Sequence, residues 1–337
     1  MRVYRVNEKP FHVPTIVRTG RELTAPGPIP DADTARTLVQ DLREAADTSV
    51  DLVLRTVNLP REWEDSVRNT VTGDTVLVVD RVGWLTANAQ TFAELGASLM
   101  TPPKPSMFRI NPVVRVGSAQ LGTVLAVLAG RVLGQFDPLG SHRRLMLVAP
   151  NVLEAEKRLE VDSRDFRLWV TLHETTHRVQ FAMAPWLRDY MIERVSVLVR
   201  KSTQDENWIE ALKGGSLLDA ITTPDKRQAV NEITAVMSVL EGHADVVMDS
   251  CGPSVIPTVA KIRRAFDRKR ATSVNGLNRL LGFQNKLEQY TTGAAFIRGV
   301  VKHRGHAGLH PLWHGPENLP TQAELDNPEL WLERIRA

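Results

Sequence analysis

The segment FRLWVTLHETTHRVQFAMAPW, residues 166–186, constrains this chain more than any other. Phe166, Leu168, Trp169, Val170, Leu172, Val179, Phe181 and Met183 surround its polar centre on nearly every side, so it reads as a helix buried in a core. Inside that apolar frame sits His173-Glu174-Thr175-Thr176-His177. Histidines four residues apart lie one turn apart on one helix face, and both can reach one metal ion. A buried Glu and two buried His without partners would be costly, and a zinc ion removes that cost. Glu174, next to the first histidine, stands beside the metal position, where its carboxylate can hold a water molecule and take its proton. Chance alone produces HExxH somewhere in a chain of this composition at roughly the 1% level. The plainer alternative is a helix that turns a His–Glu–His face to solvent or satisfies its histidines in the core.

Sulfur cannot supply the remaining ligands. Cys251 is the single cysteine in 337 residues, which excludes an internal disulfide and a Cys-rich zinc site and favours a reducing, cytoplasmic setting. A catalytic zinc usually takes three protein ligands and leaves a fourth position for water. A third histidine in the same segment would need glycine at 180 and histidine at 183, where the chain has Gln180 and Met183. The better source is NEITAVMSVLEGHADVVMD, residues 231–249, in which Glu241 and Asp245 lie four apart in an otherwise mostly apolar helix. Glu241 is the expected third ligand, and Asp245 the expected acceptor for the outer nitrogen of a ligating histidine. His243 points about 200° around the helix from Glu241 and Glu232 lies about half a turn off, so neither shares its metal. A buried Glu241 paired with an arginine is the competing reading. For a donor to a developing oxyanion the candidates are Tyr290, preferred, and His303, His306, His310 and His314 in the segment that follows.

The rest of the chain reads as mainly α with a small β-hairpin or sheet. Residues 1–32 hold five prolines and read as an irregular arm, with a short strand around Val13–Val17. Helical spacing begins at Asp33 and continues to Pro60, then over 62–70 and 81–100, with VLVVD at 76–80 as a short strand. TPPKP at 101–105 marks a linker, so the expected organisation is an arm (1–32), an N-terminal helical region (33–105) and a metal-binding region (106–337), or one continuous domain over 33–337. The uncharged run 116–130 is short of the roughly 20 residues a membrane span needs and reads as a buried helix. VLGQFDPL and RLMLVAP form a hairpin, and helices follow at 151–160, 163–184, 186–202, 206–213, 225–249, 254–270, 283–302 and 322–335. No signal peptide is read at the N-terminus. The basic and acidic residues, 42 against 39, are near balance, so the pI of about 9.1 does not point to nucleic acid. The basic run Lys261, Arg263, Arg264, Arg268, Lys269 and Arg270 reads as a solvated surface.

Seven ordered blocks carry a resemblance: VVDRVGWLTAN (78–88), LGQFDPL (133–139), LVAPNV (147–152), LHETTHRVQFAMAPWL (172–187), VLEGHADVVMD (239–249), KLEQYTTGAAF (286–296) and WHGPENLPT (313–321). In these the chain, from about residue 30 to its end, resembles the actinobacterial-type zincin-like metallopeptidase family of inferred hydrolases, some members of which are associated with biosynthesis of the deazaflavin coenzyme. The resemblance implies a mostly helical zincin-like fold and a zinc hydrolase acting on a peptide or another small carbonyl-containing substrate. It carries His173, His177 and Glu241 over as ligands and Glu174 as base. The interval of 64 positions from His177 to Glu241 is much longer than in the best-studied glutamate-liganded peptidases. A zinc-containing binding or assembly protein is the alternative, but a purely structural zinc has no use for Glu174.

Overall fold

The computed structural model describes residues 9–100, 110–199, 223–265 and 287–336, except for the side chains of 287–291. The expected linker at 101–105, the helix at 206–213 and the basic residues Arg268, Lys269 and Arg270 lie outside the described residues. The chain is mainly α, with one small sheet among the described residues. It divides into two interleaved units, Met1–Ala45 with Asp74–Ser163, and Ala46–Gly73 with Arg164–Ala337.

The first unit holds α1 (Val13–Leu23), the start of α2 (Ala32–Val57), β1 (Thr75–Val79), α4 (Arg81–Leu99), α5 (Pro112–Ala129), β2 (Gly134–Asp137), β3 (Arg144–Val148) and α6 (Ala149–Leu159). The strand expected around Val13–Val17 is instead helix α1. Pro14 does not oppose it, because the first helical turn needs no amide donor from proline. What recruits the segment is packing: a Cβ at Gly122 of α5 would lie 2.6 Å from the Ile16 carbonyl oxygen, so α1 and α5 meet backbone to backbone. Ile16, Trp84, Leu85, Leu125, Ala126 and Met146 form the core there. Helix α5 is buried on one face only; Val116, Val124 and Val127 are exposed, so the buried helix expected over 116–130 is covered along one side and open along the other. By length and composition alone it is apolar enough to cross a membrane. The hairpin expected from VLGQFDPL and RLMLVAP, 132–150, forms, β2 pairing antiparallel with β3. Strand β1 adds to the other edge of β3, in parallel, giving the order β1-β3-β2.

The second unit holds the rest of α2, α3 (Arg61–Thr72), α7 (Ser163–Met183), α8 (Trp186–Val199), α9 (Pro224–Val255), α10 (Leu287–Arg304), a 3-10 segment over His306–Trp313, and two short helices, α11 (Gln322–Asp326) and α12 (Pro328–Arg334). The single helix expected over 322–335 is two, because Pro328 cannot continue a helix and Asn327 caps the second. Helix α9 breaks at Gly252, whose φ of 62° is a left-handed conformation that glycine adopts without cost. The residues of α2 and α3 are tied to the later helices by polar contacts. Arg178 of α7 donates to the Val71 carbonyl at 2.7 Å, and His310 Nε2 donates to that of Val57 at 3.1 Å. Early sequence thus belongs to the later unit.

Candidate metal centre

Helix α7 is buried on almost every side, as its apolar frame requires. Between Trp169 and Ala184 only His173, Glu174 and His177 are not buried, so the HExxH face is the one strip of this stretch that solvent reaches. Helix α9 brings Glu241 to the same place. Its approach to α10 is set by glycine: a Cβ at Gly242 would lie 2.5 Å from the main chain of Gly293 and Ala294, and one at Gly293 would overlap Ser238. The two helices therefore touch through their backbones beside Glu241.

The donor atoms converge. His173 Nε2 and His177 Nε2 are 3.2 Å apart, Glu241 Oε2 is 3.4 Å from the first and Glu241 Oε1 is 3.6 Å from the second. These three residues are the group among the described ones whose donor atoms lie close enough, all within 4.8 Å, to hold one ion. Ligands about 2.0–2.2 Å from a tetrahedral zinc stand about 3.3–3.6 Å from one another. The histidine pair at 3.2 Å, and each histidine's nearer carboxylate oxygen at 3.4 and 3.6 Å, lie close to that spacing, and two imidazoles with one carboxylate are a donor set zinc accepts. With three protein donors and a face open to solvent, the fourth position remains for water or substrate.

Charges in the site favour a cation. Burial disfavours the charged form of His173, but the Glu241 carboxylate, with Glu174 and Asp245, outweighs it and carries the pKa up to about 9. In the metal-free protein a proton on His173 occupies the role of the cation. Glu174 sits in the sequence and in the helix beside His173 and acts on it electrostatically.

Other predicted residues fall differently. Asp245 accepts no hydrogen bond from either histidine. Its Oδ1 is 3.3 Å from Arg263 Nη1, and Arg263 also donates to the Asp245 carbonyl at 2.8 Å and pairs with Asp249 at 2.6 Å. The outer nitrogen of His173 faces Met248 Sδ at 3.3 Å instead. The expected solvated basic run is thus broken at Arg263, whose guanidinium serves the second turn of carboxylates behind the site. Glu232 is held by Arg194 at 2.9 Å, and His243 stacks edge-on against Trp313, so both stand apart from the ligand group as their angular positions require. Burial, with His306 and His177 adding to it, pushes the His243 pKa down to about 3. His303 faces Glu329, His306 bonds Ser250, His310 bonds Val57 and His314 packs on Trp63. Tyr290 lies on α10, and its side chain is outside the described residues.

Gln180, whose importance the sequence reading missed, touches the outer nitrogen of His177. Its Oε1 is 2.8 Å from His177 Nδ1, while its Nε2 donates to the Leu240 carbonyl at 2.8 Å and to His243 Nδ1 at 2.9 Å. Its position three residues after His177 was the only available signal, since a polar side chain one turn from a ligand can reach that ligand's far side.

The profile of the zincin-like metallopeptidases matches residues 14–332. Among solved structures the chain is similar to a protein from Chloroflexus aurantiacus provisionally described as a hydrolase with a novel fold, at 27% identity and a TM-score of 0.69, over 97% of this chain and 99% of that one. No curated protein matches the chain.

Proposed function

Because the chain belongs to the zincin-like metallopeptidase family, we propose that it is a zinc-dependent hydrolase, most simply a peptidase, working at the His173, His177 and Glu241 group. The observation that carries this reading is the convergence of two Nε2 atoms and a carboxylate at separations of 3.2, 3.4 and 3.6 Å on the solvent-reached strip of a buried helix. Zinc, when bound, supplies Lewis acidity, which polarises a substrate carbonyl and acidifies water.

The chain's own residues do the rest. His173, His177 and Glu241 hold the ion and leave one side open. Glu174 accepts the proton of the attacking water on its carboxylate and returns it to the departing amine nitrogen. The buried apolar frame of α7 keeps this carboxylate in one place and limits water to the open side. For the oxyanion we assign Tyr290, which lies three residues before Gly293, the point where α10 meets the backbone beside Glu241. The substrate is a peptide or another small carbonyl compound rather than a nucleic acid. The single, buried Cys251 supports a reducing, cytoplasmic setting.

The test is a peptide library incubated with zinc-loaded protein beside its Glu174→Gln variant. Cleavage by the first and none by the second is expected. Zinc held stoichiometrically by both proteins with no cleavage by either would favour a binding or assembly role.

A further inference from the structure

Gln180 is fully buried, and all three polar contacts of its amide lie behind the metal centre. The orientation of that amide is forced. The Leu240 carbonyl oxygen only accepts, so the nitrogen end of the amide faces it and the oxygen end faces His177. His177 Nδ1 must then carry the ring proton and donate it, which leaves a lone pair on Nε2. That Nε2 is the atom 3.2 Å from His173 Nε2 and 3.6 Å from Glu241 Oε1. The second N–H of the amide meets His243 Nδ1 at 2.9 Å, so His243 accepts there and carries its own proton on Nε2.

We propose that Gln180 is the positioning residue of this metal centre: one buried amide aims the His177 lone pair at the ion and, through the Leu240 carbonyl, ties that ring to the main chain immediately before Glu241. The His177 ring on α7 and the main chain beside Glu241 on α9, distant in sequence, are thereby joined through a single side chain. An amide suits the place better than the aspartate or glutamate that usually backs a metal-bound histidine. A carboxylate would satisfy His177 but would confront the Leu240 carbonyl with a second acceptor and bury a charge.

The inference rests on the metal reading above, so the experiment separates the two. Zinc affinity of the full-length protein is measured by competition with a chromophoric chelator for wild type, Gln180→Met, His177→Ala and the double variant, with His173→Ala as the control whose affinity must fall far below wild type, as that of His177→Ala does. Methionine keeps the volume and removes both ends of the amide. Gln180→Met should weaken zinc about 10- to 100-fold and shift the visible bands of the cobalt-substituted protein, whereas on the His177→Ala background it should change affinity by less than about threefold, because the ring it aims is gone. Unchanged affinity in Gln180→Met, or an equal loss on both backgrounds, would overturn the proposal while leaving the metal site intact. A wild type that takes no zinc, or a His173→Ala that keeps it, would overturn the metal reading and this proposal with it. Should Gln180→Met fail to fold, long-range proton–nitrogen correlation spectra of zinc-loaded wild type decide the matter. The expected tautomers are Nδ1–H for His177 and Nε2–H for His243, and the opposite tautomer at either residue refutes the assignment.

Discussion

Glu241 follows His177 by 64 positions in the sequence, yet its Oε1 stands 3.6 Å from His177 Nε2. Nothing local brings them together. Helix α7 presents the histidines, α9 presents the carboxylate, and the contact of α9 with α10 at Gly242 and Gly293 holds the second helix at the right depth. The chemistry proposed for this protein depends on that arrangement, and the following outcomes test it.

His173→Ala removes one of three donors and leaves two. Stoichiometric zinc in the purified protein should fall to background, read by elemental analysis. Full zinc occupancy would exclude His173 as a ligand.

Glu174→Gln keeps the shape of the side chain and removes its basicity. Zinc content and melting temperature should match wild type, while hydrolysis falls by about 10²- to 10⁴-fold, the usual contribution of a general base. A variant with full activity on any substrate the wild type cleaves would take Glu174 out of the mechanism.

Gly242→Ala places a methyl group against main-chain atoms of Gly293 and Ala294 that cannot swing aside. The helices must separate, costing about 1–3 kcal/mol in denaturant unfolding, and zinc affinity should drop because Glu241 is the adjoining residue. An alanine variant as stable and as zinc-tight as wild type would show that the close approach is not needed.

Zinc binding should depend on pH through His173. Burial works against its charge, but Glu241, Glu174 and Asp245 hold its pKa at about 9 in the metal-free protein, above the ordinary 6.5. An ion must therefore expel a proton at neutral pH, so apparent affinity should rise by up to about tenfold per pH unit and level off near pH 9. The metal-free fold follows the opposite course. A raised pKa stabilises it fully below about pH 6.5, and that contribution is lost as the pH climbs through about 9. Chelator competition and urea melts across this range measure both slopes, and a zinc affinity that does not change with pH would contradict the protonated, metal-free site.

Much of the fold was legible because its elements announce themselves locally. The apolar frame of residues 166–183, the alternation around β2 and β3, and the spacing along α9 are all short-range patterns, and each marks its element to within a few residues. Val13–Val17 departs from its expected strand for a related reason: a proline and scattered polar residues look irregular until Gly122 offers the helix a surface to dock on. Pro328 acts locally as well, and it splits the last helix expected over 322–335.

At the site, residue types and spacing alone singled out the candidate group: two histidines one turn apart, a glutamate beside the first, a downstream glutamate that the fold brings to them, and no second cysteine to compete. What those patterns could not decide was the arrangement behind the ligands. Asp245 has the right type and spacing to back a histidine, but in the folded chain Arg263 takes it, and Gln180 backs His177 instead. Ligands are recognisable because they recur at helical intervals on one element. Their supports are chosen by which groups of neighbouring segments arrive at hydrogen-bonding distance, Arg263 beside Asp245 and the Leu240 carbonyl beside Gln180, and that choice is made only when the helices pack.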